Sequence, residues 1–182
     1  NRAEAAIAKY PQLTNTFFDY FVGIDTDGSL FPRNVEIEPI ESNNDKLYKL
    51  INYFYDAQLV VYCSQKRTTV KIANDILFTQ WDKLKEWVLV STDYLEFRHL
   101  IDSDFSQWCK ANRNGSSPRK SLISKNEYIK QAEHHLNTGN IVYPELEDYI
   151  LSSIRIKRNA KISIIVSMIM IVSTLSGWYW WK

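Results

Sequence analysis

The sequence predicts a mainly α-helical protein with one β-hairpin. The expected arrangement is a winged-helix domain over residues 1–90, an α-helical extension over 91–160 and a C-terminal transmembrane helix over 161–182. Three observations carry this. Apolar residues recur at helical spacing along most of the 182 residues. Two β-branched runs, "AQLVVYC" (57–63) and "TTVKIA" (68–73), flank the short loop "SQKR". Residues 162–181 contain no charged side chain.

The first elements are helical. Residues 3–10 are alanine-rich and stop at Pro11. In "TNTFFDYFVGI", Thr14 is placed to cap a helix whose Phe17, Phe18, Phe21 and Val22 repeat at helical spacing. "DTDGS" is a turn in which Gly28 is free to take positive φ. It is not a calcium loop. With Gly28 as the loop glycine, the position that needs a glutamate is Asn34. Asn44 opens a second helix with Leu47, Leu50, Ile51 and Phe54 on its apolar face. In the second strand Val70 and Ile72 alternate around Lys71. Helix, helix, hairpin, helix is the order of a winged helix.

A third helix is expected from Asn74 as its N-cap, with Trp81, Leu84 and Val88 on one face and Trp87 beside them. Tyr94, Phe97, Ile101, Phe105 and Trp108 follow at +3, +7, +11 and +14, a long amphipathic helix. Trp81, Leu84, Trp87 and Trp108 are therefore structural candidates. After the loop 112–120, a helix is expected over 121–137. A last one starts near Glu145 and runs through a basic flank into the apolar run.

A 20-residue helix spans about 30 Å, the thickness of a bilayer core. Arg155, Lys157, Arg158 and Lys161 precede the run, and Trp178, Tyr179, Trp180 and Trp181 close it. Basic residues on one side and an aromatic belt on the other predict a single-pass anchor with residues 1–160 cytoplasmic.

Composition excludes more than it proposes. The net charge is +1, and residues 1–60 carry 5 basic and 9 acidic side chains. The two cysteines, Cys63 and Cys109, form no CxxC and read as reduced thiols of a cytosolic domain. With His99, His134 and His135 they make no recognisable metal set. No serine lies in a GxSxG context. No catalytic or metal-ligating residue is expected.

The stretch "TVKIANDILFTQWDKLKEWV" resembles a segment of the novel STAND-type signal-transduction NTPases. Val70, Ala73, Leu77, Trp81, Leu84 and Trp87 fall in register with that family's pattern. Upstream, "LINYFYDAQLVV" matches at Leu50, Asp56, Ala57 and Leu59, and Arg33 resembles the arginine after the family's first turn. Downstream, "FRHLIDSDFSQW" resembles a helix ending in tryptophan, here Trp108, and "EDYILSSIRIKR" a segment that leads to a basic stretch and a membrane helix. The resemblance covers roughly residues 5–161. It implies a winged-helix region following an ATPase core.

Two departures qualify what it implies. The family's His-Glu pair is replaced by Asn74 and Asp75. A histidine there can contact the β-phosphate of ADP, whereas Asn74 carries no charge at any pH. The competing reading of the pair is a helix cap with a dipole-favoured carboxylate. The sequence also holds no GxxxxGK[ST] loop. The resemblance then places the phosphate-binding loop upstream, in a larger parent protein of which residues 1–182 are a segment.

The resulting expectation is a regulatory and anchoring segment, not catalytic by itself, that couples the state of an upstream nucleotide-binding domain to the membrane. It implies no cofactor in the segment and ATP or ADP in the parent protein. The expected partners are the lipid bilayer and that domain, with a homo-oligomer left open. The alternative is a membrane-tethered winged-helix DNA-binding regulator, which needs a basic recognition helix. "DKLYKLINYFYD" sets Lys46 and Lys49 against Asp45 and Asp56 and has no arginine, leaving Lys66 and Arg67 on the wing as the helpful charges.

Overall fold

A computed structural model describes residues 2–63, 66–115, 121–141 and 143–181, without the side chains of residues 2, 3, 6, 43 and 174–181. The tip of the expected wing at 64–65 and most of the loop ahead of residue 121 lie outside the described residues. The chain forms two compact units, residues 1–100 and 101–182.

In the first unit, α1 (Arg2–Lys9) ends at Tyr10, and Pro11 starts a 3-10 turn, Pro11–Leu13. That turn runs straight into α2 (Thr14–Phe21). Thr14 therefore does not cap. It lies inside the helix and is buried, and Leu13 takes the N-cap position without a side-chain hydrogen bond.

The first unexpected element follows. The strands β1 (Val22–Ile24) and β2 (Leu30–Pro32) pair antiparallel across "DTDGS". Gly28 takes φ +84°, and Ser29 N–H donates to the Asp27 carboxylate at 2.8 Å. Gly23 faces Phe31 across the pair, and a Cβ there would lie 2.5 Å from the Phe31 ring. These strands have three residues each, too short for alternation to register in the sequence.

A second sheet contains the expected hairpin and one strand more. It comprises β3 (Val35–Glu36), β4 (Val60–Tyr62) and β5 (Thr69–Ile72) in the order β3-β5-β4. Val60 opposes Ile72, and Val35 opposes Val70. The expectation of a single hairpin is thus corrected to two small sheets. Between β3 and β4 lie α3 (Ile37–Asn43) and α4 (Asp45–Asp56). Asn44 caps α4 as expected, its side chain accepting from Leu47 N–H at 3.1 Å. Leu47, Leu50, Ile51 and Phe54 are all fully buried.

The expected third helix is broken. α5 (Ile76–Gln80) ends at Trp81, whose backbone is extended at φ −101°, ψ 102°. α6 (Asp82–Arg113) begins at the next residue, and the Trp81 carbonyl accepts from Lys85 N–H. The break is a single residue, with the Trp81 N–H still bonded back to Leu77.

The second unit holds the end of α6, α7 (Asn126–Asn137) and α8 (Pro144–Trp181). α7 starts later than the expected residue 121. The segment before it is tied instead to α8: Tyr149 Oη donates to the Ser121 carbonyl at 3.1 Å, and Ser153 Oγ accepts from Ile123 N–H at 3.2 Å. Ile101, Trp108, Ala132, Leu146, Tyr149 and Ile150 are buried.

α8 overturns the membrane reading. Among the described residues, no helix is long and apolar enough to cross a membrane. Charged residues continue along α8 to Lys161. The transmembrane helix over 161–182 and the single-pass placement with residues 1–160 cytoplasmic are withdrawn on this finding. Arg155, Lys157, Arg158 and Lys161 are placed on α8. The side chains of Trp178, Trp180 and Trp181 lie outside the described residues.

Candidate functional site

The predicted sensing pair sits on an exposed loop between β5 and α5. Asn74 Oδ1 accepts from Ile76 N–H at 2.9 Å, and the Asn74 carbonyl accepts from Leu77 N–H at 3.2 Å. The side-chain acceptor is therefore spent on opening α5. Asp75 follows in helical conformation, without a side-chain cap bond, next to the helix start where a carboxylate is favoured.

The predicted structural residues of the first unit do meet. Phe18 of α2 lies between two indoles, with ring centroids 5.0 Å from Trp81 and 5.5 Å from Trp87. Phe54 of α4 is 6.1 Å from Trp81 and 4.3 Å from Phe17. Leu84 is fully buried in the same cluster. Edge-on aromatic contacts of this kind add to the burial of the rings. Trp108 belongs to the second unit, where it packs edge-on against Tyr149 at 5.6 Å.

Glu4 ties α1 to the helix break. One carboxylate oxygen accepts from Trp81 Nε1–H at 3.1 Å, and the other lies 2.8 Å from Lys83 Nζ. The Lys83 hydrogen bond, chiefly, holds this carboxyl below the usual carboxylate range.

A second tie is buried outright. Arg98 of α6 contacts the Asp19 carboxylate of α2 at 2.8 Å, and the same nitrogen also donates to the Asp19 backbone carbonyl. Both side chains are excluded from solvent. Burial pushes the Asp19 carboxyl above its ordinary range; Arg98, the Tyr94 hydroxyl and Arg33 pull the other way. Asp19 Oδ2 makes no hydrogen bond of full geometry, although Tyr94 stands close enough to help hold the charge. Burial and the Asp19 charge push the Tyr94 phenol well up.

Neither tie was predicted. The signal for Arg98 was there: it falls four residues after Tyr94 and three before Ile101, on the apolar face of its helix. An arginine in that stripe needs a buried partner. Nothing comparable singles out Asp19 or Glu4.

The chemistry of these groups is that of holding rather than transforming. Among the described residues no group of His, Cys, Asp and Glu could hold a metal ion. The helix α4, which a DNA-binding reading would place in a groove, has Lys49 paired with Asp45 at 2.6 Å.

A family model described as Novel STAND NTPase 1 matches residues 3–116, which takes in every element from α1 to α6. No curated protein and no solved structure matches the chain.

Proposed function

The chain belongs to the Novel STAND NTPase 1 family, and from that premise we infer that its first unit is a winged-helix regulatory module acting on a nucleotide-binding domain of the same parent protein. The observation that carries this is the order of elements within the matched region. With the β1–β2 pair set aside as an insertion after α2, the succession α2, β3, α3, α4, β4, β5 and the pairing of β3 with β5 support a winged-helix reading. The module is not catalytic by itself, because the sequence has no GxxxxGK[ST] loop to cradle phosphates. ATP or ADP is bound by the parent protein's upstream domain.

Regulation works by a shift between two populated arrangements, one with the module seated on the nucleotide domain and one with it released. Asn74 serves in this reading to open α5, its Oδ1 accepting from Ile76 N–H. The test is ADP release from a protein that contains both the phosphate-binding domain and this segment. Deleting residues 1–100 should change the release rate at least about tenfold, about 1.4 kcal/mol in the barrier to release. The 182-residue chain alone should show no ATP turnover. An unchanged release rate, or turnover by the chain alone, contradicts the reading.

A further inference from the structure

Two exposed helix faces in this chain carry complementary side chains at the same spacing. On α6, Leu89, Asp93, Glu96 and Leu100 recur at +4, +7 and +11, one face of a helix. On α8, Leu151, Arg155, Arg158 and Ile162 recur at the same intervals. All eight side chains are exposed. Leu89 is 79% exposed and Ile162 52%, high values for apolar residues in the middle of long helices. Among the described residues none of the four charges is in an ion pair.

Each face is apolar at its ends and charged in the middle, acidic on α6 and basic on α8. Laid antiparallel, Leu89 meets Ile162, Asp93 meets Arg158, Glu96 meets Arg155 and Leu100 meets Leu151. We propose that the α6 face of one chain binds the α8 face of a second copy, so that the protein self-associates through helix pairing. The occupant is a second copy because the matching surface exists in this sequence and both faces are exposed within a single chain. The 4-3-4 spacing is symmetric, so the same residue types also meet in a parallel pair; helix dipoles favour the antiparallel one. Interlocking charges fix register and exclude a slipped pairing, in which leucine would face arginine. This inference is independent of nucleotide binding.

The test is sedimentation equilibrium of the 182-residue chain at low and high salt. Association should weaken as salt rises, since the charges lie at the surface. Asp93→Arg with Glu96→Arg on one chain should raise the dissociation constant at least about tenfold. Arg155→Glu with Arg158→Glu should do the same. Mixing the two reversed proteins, each with unchanged helical circular dichroism, should restore association as a heterodimer. A chain that stays monomeric at 100 μM or so overturns the proposal, as does association that survives either reversal or that mixing fails to restore.

Discussion

The buried Asp19–Arg98 pair makes an asymmetric prediction. Replacing Arg98 with Met keeps most of the side-chain volume but leaves the Asp19 carboxylate buried without its cation. Removing one partner of a buried pair costs about 3–5 kcal/mol. Replacing Asp19 with Asn is different. Burial already pushes that carboxyl above its ordinary range, so a neutral side chain of the same shape suits the site. Arg98 also keeps its bond to the backbone carbonyl of residue 19. The loss should be about 1.5–3 kcal/mol, the scale of one hydrogen bond to a charged group. Acidity should separate the two variants further. In Arg98→Met the main influence lowering the Asp19 pKa is gone, so a folded value already above the unfolded one, about 3.9, rises further. A raised folded pKa means full stability below the unfolded pKa and loss as pH rises through the folded one. Arg98→Met should therefore regain most of its deficit between pH 7 and about pH 4, while Asp19→Asn shows no such recovery relative to wild type. Urea titrations followed by tryptophan fluorescence at both pH values measure this. Equal losses for the two variants at pH 7, with no recovery on acidification, would falsify the claim that desolvation dominates this site.

Trp81→Ala should lose about 3–5 kcal/mol by cavity formation, whereas Trp81→Phe should lose mainly the bond to Glu4; calorimetric unfolding compares them, and similar losses would count against a packing role for the indole. Glu4→Gln should reduce the acid sensitivity of the first unit: the lowered Glu4 pKa gives stability that is present above about pH 4.5 and lost as pH falls through the folded value. Identical acid titrations of variant and wild type contradict this. Asn74→Ala should cost about 1 kcal/mol of stability and leave ADP release from the parent protein unchanged; a changed release rate would return Asn74 to nucleotide contact. Gly28→Ala should cost about 1 kcal/mol, because its φ of +84° disfavours a side chain while no atom lies near enough to clash, and an unchanged denaturation midpoint would show that the turn relaxes.

How legible this protein is depends on how far each signal extends along the chain. The helix capped by Asn44 and the hairpin at 58–73 were readable because cap, periodicity and β-branched runs agree there. The strands at Val22–Ile24, Leu30–Pro32 and Val35–Glu36 were not, since two or three residues give no period and their pairing is set by tertiary contacts. The break at Trp81 was hidden for a related reason: Trp81, Leu84 and Val88 continue a helical spacing across it. The charged ties escaped because they join residues nearly eighty positions apart, Glu4 to Trp81 and Asp19 to Arg98. The error about the membrane had a different origin. It rested on the uncharged run 162–181, whereas among the described residues no helix is long and apolar enough to cross a membrane.

The three-stranded sheet has edges formed by β3, with two residues, and β4, with three. An edge that short exposes too few backbone groups to template another strand. A ligand that binds by extending a sheet would gain hardly any main-chain bonds here. The hairpin is thereby shielded from cross-β stacking with its neighbours.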